Sequence, residues 1–136
     1  MIYAVIDTNV IVSSLLTHNH DSATVRVMDA VYSRRVIPLV NDAILAEYAA
    51  VLHRKHLKLN PTKCDFILSL MTDIGVHLDP VPSNMTMPDE ADRKFLEIAL
   101  AGRSESPVHL VTGNMKHYPM ADFILTPAQF CELAGL

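Results

Sequence analysis

The stretch that most constrains the fold is the run Ile2 to Ile6, ended by Asp7. Five uncharged, largely apolar residues, rich in β-branched side chains and too short for an ordinary helix, read as a strand buried on both faces. Such strands belong to parallel sheets covered by helices on each side. Open α/β sheets hold their ligands at the carboxyl ends of their strands. Asp7 therefore stands at the crevice of such a sheet, and is the first candidate site residue.

The rest of the chain repeats strand and helix. Strands are expected at Val36 to Val40, near Val76 to Leu78, at Val108 to Thr112 and at Phe123 to Leu125. Pro38 lacks an N–H and should face away from a ladder. Thr8-Asn9 makes a turn into a short helix over Val10 to Leu16. Ser22 caps a helix reaching Arg34 or Arg35, whose charges suit its C-terminal dipole. Asn41 or Asp42 starts a helix through about Leu57. Pro61 starts another, with the stripe Phe66, Ile67, Leu70, Met71 and Ile74, until Gly75. Pro88 to Asp92 opens a helix carrying Phe95, Leu96, Ala99 and Leu100, and Thr126-Pro127 begins a closing helix. This alternation predicts a three-layer α/β/α sandwich around a mostly parallel sheet of four or five strands, in a single domain over residues 1–136.

No apolar run approaches the roughly 20 residues of a membrane span, and a strand ending in Asp7 is a poor secretory leader. Cys64 and Cys131 lie far apart and form neither a disulfide framework nor a CxxC pair, so both are expected to be buried in a cytoplasmic protein. His53 and His56 share a helix face with Cys64 nearby, but no fourth zinc ligand is evident. The formal net charge of −4 argues against a protein that holds nucleic acid by bulk positive charge. It does not exclude one that works locally, since a bound divalent cation brings the balance to about −2. The basic residues are also grouped, at Arg34-Arg35 and at His53 to Lys63.

Three acids stand out by position. Asp7 ends the first strand, Glu47 falls on the stripe of Ile44, Leu45, Tyr48, Val51 and Leu52, and Asp92 precedes Phe95 and Leu96 by three and four residues. Singly, each has an ordinary explanation as a capping or paired charge. Jointly that account weakens if the three converge. Two carboxylates roughly 5 Å apart repel by about 3 kcal/mol at an effective dielectric of 20, a cost that stability alone gives no reason to accept. Mg²⁺ or Mn²⁺, hard ions that take oxygen ligands, would remove it.

These residues also carry a resemblance. Asp7-Thr-Asn9 after an apolar strand, Glu47 in a mid-chain helix, Asp92 in Asp-Arg-Lys-Phe-Leu-Glu, Leu110-Val-Thr-Gly-Asn114 with His117, and Ile124 to Phe130 resemble the ordered signature of PIN-domain nucleases. The likeness is greatest to single-domain bacterial and archaeal members that act as toxins of toxin–antitoxin pairs, the VapC group. The resemblance implies Mg²⁺- or Mn²⁺-dependent hydrolysis of RNA by an activated water. Asp7, Glu47 and Asp92 match the family's metal-binding acids, and Asn9 matches a polar residue that orients the first of them. Many relatives carry a further acid where this chain has Asn114, which can coordinate or hold a water but adds no charge. One metal or two is thus left open, with Asp89 available at the same helix start.

Thr112 and Asn114 can hydrogen-bond a water or a phosphate oxygen. Lys116, His117, Arg54 and Lys55 are candidate contacts to RNA phosphates. A haloacid-dehalogenase-like phosphatase would need a second acid at position 9, where this chain has Asn9. The reading from another class is a non-catalytic PIN-like module that binds RNA or protein. The resemblance further implies a cognate antitoxin and a homodimer as partners; the short apolar runs imply no membrane.

Overall fold

The computed structural model describes residues 1–136. Strands β1 (Ile2–Ile6), β2 (Val36–Val40), β3 (Val76–His77), β4 (Val108–Val111) and β5 (Ile124–Leu125) form one sheet in the order β3-β2-β1-β4-β5. Every neighbouring pair is parallel, so the sheet is more uniform than expected. β1 lies at its centre, with Ala4, Val5 and Ile6 fully buried. Pro38 is tolerated in β2 because of where the ladders begin. Val40 O accepts from Leu78 N, so by the period of two Pro38 also faces β3, and β3 pairs only from Leu39 onward.

Six helices connect and cover the strands: α1 (Thr8–Leu16), α2 (Ala23–Tyr32), α3 (Asp42–Leu52), α4 (Pro61–Ile74), α5 (Arg93–Arg103) and α6 (Pro127–Ala134). The side chains of Ser22, Asn41, Asn60 and Thr126 each accept from the backbone N–H three residues on. Each such cap contributes about 1 kcal/mol. The steps β1 to β2 to β3 run in one direction, and right-handed crossovers put their helices on one face. The return from β3 to β4 puts α5 on the other. α6 packs on α2, β4 and β5 and so shares the first face. Helices on both faces of the sheet make the three layers.

Two helix ends and one buried stripe differ from expectation. α2 stops at Tyr32, because Arg34 turns the chain in the left-handed region (φ 63°) to feed β2 directly. α3 stops at Leu52 and is followed by a 3-10 turn, Lys55–Leu57. Beyond Leu52 the helical spacing would bring Lys55 and His56, not apolar residues, to the core face. On α4, Cys64, Ile67, Leu70 and Met71 form the buried stripe, whereas Phe66 is 58% exposed and does not belong to it. Cys64 and Cys131 are buried free thiols. No helix is long and apolar enough to cross a membrane.

Candidate metal centre

Register and alternation bring the site together. β1 and β4 pair from Tyr3↔Val108 to Ile6↔Val111, so Asp7 and Thr112, the next residues of each, come side by side. Side chains alternate, which puts both on the face that carries Tyr3, Val5, Val108 and Leu110. α5 covers that face: its Gly102 lies against the side chains of Leu39 and Val108, with no room for a Cβ. Asp92, immediately before α5, therefore arrives at the same edge. Glu47 comes from the other neighbour of β1. Asn41 ends β2 and caps α3, and Glu47 lies beside the buried Ile44 and Tyr48 of that helix. The chain passes from β1 out to β2 and β3, then returns to β4 on the far side of β1. That reversal is the switch point at which open α/β sheets bind ligands.

The result is a cleft of about 740 Å³ lined by Asp7, Asn9, Glu47, Asp89, Asp92 and Asn114 among others. One carboxylate oxygen from each of Asp7, Glu47 and Asp92 lies within 4.8 Å of the others. Asp7 is buried, and Oδ2 accepts from Thr112 Oγ1 at 2.9 Å and from Tyr118 OH at 2.8 Å. Both side-chain donors use Oδ2; none uses Oδ1. On Glu47, Oε2 accepts from the Thr8 hydroxyl and Oε1 from Lys94 Nζ at 2.7 Å. Asp92 Oδ2 lies 3.2 Å from His117 Nδ1, and Asp89 Oδ2 lies 3.6 Å from the same nitrogen.

The electrostatics of this arrangement are unfavourable without a cation. Burial raises the pKa of Asp7 above the usual carboxylate value; the Thr112 and Tyr118 hydrogen bonds oppose this, and the charge of Glu47 adds to it. Asp92 is pushed up to about 6, first by burial and then by the charge of Asp7, with His117 acting in the opposite sense. Burial, followed by the charges of Asp7 and Asp92, holds Tyr118 well above the ordinary tyrosine value, so it remains a protonated donor. Three carboxylates in reach of one point, two of them held against their own ionisation, are a donor set that fits a hard divalent cation.

The PIN domain profile matches residues 3–116. This chain belongs to the PIN-domain family. An uncharacterized protein of Methanocaldococcus jannaschii is 27% identical over 117 residues, covering 83% of this chain and 71% of that relative. No solved structure matches significantly. PIN domains are in general metal-dependent nucleases that bind a divalent metal, and the acid cluster is consistent with that.

Within this PIN domain the other predicted residues are placed as follows. Asn9 does not hydrogen-bond Asp7 through its side chain. Its Oδ1 accepts from Gly113 N at 2.9 Å and its Nδ2 lies 3.4 Å from Thr112 Oγ1, so its side chain reaches Asp7 only through Thr112, while its backbone N–H favours the ionised Asp7 directly. Thr112 is fully buried and gives its proton to Asp7, which removes it as a donor to water or phosphate. Asn114 lines the cleft, and its N–H donates to Thr112 Oγ1 at 3.0 Å. Asp89 lines the cleft and also accepts from Ala91 N through Oδ1. His117 faces Asp92 and Asp89 and is not a free phosphate contact. Arg54 lines the cleft; Lys55 lines a separate depression with Leu52, Lys58 and Pro61, and Lys116 is exposed outside the cleft. Sequence reasoning missed Thr8, Lys94 and Tyr118. Tyr118 is adjacent to the residues already singled out at the end of β4, whereas the pairing of Lys94 with Glu47 spans 47 positions and leaves no sequence signal.

Proposed function

We propose that this PIN domain is a Mg²⁺- or Mn²⁺-dependent endoribonuclease that works in the cytoplasm as the toxin of a toxin–antitoxin pair, held by a cognate antitoxin and able to form a homodimer. The convergence of Asp7, Glu47 and Asp92 within one cleft carries the metal-nuclease reading. The ordered motifs from Asp7-Thr-Asn9 to Ile124-Leu-Thr-Pro support the toxin assignment by their likeness to that group.

A divalent cation, when bound by these three acids, supplies an acidified water and charge stabilisation for the phosphoryl oxygens. The protein supplies the positioning. Thr112 and Tyr118 lock one oxygen of Asp7, Thr8 holds Glu47, and His117 orients Asp92. The Asn114 amide and the Arg54 guanidinium, on the cleft walls, are the groups best placed to contact RNA phosphates. Hydrolysis then needs no side-chain nucleophile: the water oxygen bonds to phosphorus as one ester P–O bond breaks.

The test is incubation of the purified, antitoxin-free protein with a panel of single-stranded and structured RNAs. Cleavage in Mg²⁺ or Mn²⁺ that EDTA abolishes is the expected result. A folded protein that leaves every RNA intact in both metals would favour the non-catalytic module that binds RNA or protein, the reading to which Asn114 lends support.

A further inference from the structure

We propose that Lys94 is a built-in counter-cation that competes with the divalent metal for Glu47 and thereby sets the metal affinity of the site. The inference rests on the metal reading above and adds a determinant of it. Lys94 Nζ donates to Glu47 Oε1 at 2.7 Å and is anchored on its other side by Ala91 O at 2.6 Å. Both charged groups are largely shielded, with side chains 27% and 22% exposed, so this is not a solvated surface pair. The second oxygen of Glu47 is already taken by the Thr8 hydroxyl. Glu47 therefore has no carboxylate oxygen without a protein donor.

A metal ion bonded to Glu47 Oε1 sits roughly 2.1 Å from that oxygen. With Nζ at 2.7 Å from the same atom, ion and ammonium are at most about 5 Å apart, where their repulsion is strong. Loading the metal is thus an exchange in which the ammonium leaves Glu47. A monovalent cation gains little over the tethered ammonium, whereas a divalent one, drawn also by Asp7 and Asp92, can displace it. Without metal, Lys94 offsets part of the repulsion among the three acids. Its two effects have opposite sign: it stabilises the metal-free fold and weakens metal binding.

That pair of signs separates the proposal from an ordinary structural ion pair. Mn²⁺ binding is measured by calorimetry at pH 7.5 on the wild type, Lys94→Met and Lys94→Arg, with thermal melts of the same proteins in EDTA. Lys94→Met should bind Mn²⁺ about tenfold tighter or more and melt lower in EDTA, while Lys94→Arg stays near the wild type in both. Lys94→Gln gives an independent reading of the same two quantities should the Met variant not fold. Lower melting with unchanged or weaker Mn²⁺ binding would overturn the role of Lys94 and leave the metal site standing. No Mn²⁺ binding by any of the proteins would overturn the metal reading itself.

Discussion

Asp7→Asn is expected to lower kcat/KM for the proposed metal-dependent RNA cleavage by about 10³-fold or more, while the metal-free protein melts no lower than the wild type. The first part follows from removing a charged ligand at the centre of the site, since a loss of about 4 kcal/mol in transition-state stabilisation corresponds to that factor. The second follows from the energetics of Asp7 in the folded protein. It is buried, its ionised form is disfavoured, and Glu47 repels it. An amide oxygen can still accept from Thr112 and Tyr118, so neither hydroxyl is left unpaired. Asp7→Ala is the contrasting case. It removes the acceptor, leaves two buried donors without partners and should cost about 1–3 kcal/mol for each. Steady-state cleavage and thermal melts in EDTA check both. An Asn variant that melts well below the wild type would show that the ionised Asp7 stabilises the fold, contrary to this account.

The second large effect couples pH to metal. Asp92 has a folded-state pKa of about 6 against an ordinary value of 3.8, so between these values the folded state holds a proton that the unfolded chain releases. Stability from this group is therefore fully present below about pH 4 and is lost as pH rises through 6. The loss amounts to roughly 1–2 kcal/mol once the solvent still reaching the carboxylate is allowed for. Metal requires the deprotonated form, so its binding strengthens over the same interval. At pH 7.5, Mn²⁺ at 100 times its Kd contributes about 2.7 kcal/mol and should raise the melting temperature by roughly 10 °C. At pH 5 the same Mn²⁺ concentration should give only a small part of that shift. A metal-free stability flat from pH 4.5 to 7.5, or a metal shift equal at both pH values, would contradict the charge balance assigned to the cleft.

Much of the fold and of the acid cluster is legible in the amino-acid sequence. The apolar run of β1 ended by an acid places Asp7 at a strand's carboxyl end, because an uncharged, β-branched run of that length has few other fates. Glu47 and Asp92 are legible for a related reason: helical spacing puts each beside a buried stripe, where an unpaired carboxylate is uncommon. The helix starts near Ser22, Asn41, Pro61 and Thr126 are legible because a cap is a local interaction spanning three residues.

What the sequence hides depends on contacts between distant positions. Tyr118 and Thr112 reach Asp7 across 111 and 105 positions, and Lys94 reaches Glu47 across 47. The hydroxyl of Thr112 reads as available for substrate because nothing local shows that β1 lies alongside it. The expected end of α3 overruns the observed one for a different reason. Its residues continue to favour a helix past Leu52, but the next positions on its core face, Lys55 and His56, are polar, and a 3-10 turn follows.

The central claim is that Asp7, Glu47 and Asp92 together hold a divalent cation. It is tested most directly by titrating Mn²⁺ into the wild type, Asp7→Asn and Asp92→Asn at pH 7.5, by calorimetry and by electron paramagnetic resonance of the bound ion. The account predicts saturable Mn²⁺ binding by the wild type and at least about a hundredfold weaker binding by each folded variant. Binding of wild-type strength in both variants, or no binding by the wild type, would contradict it.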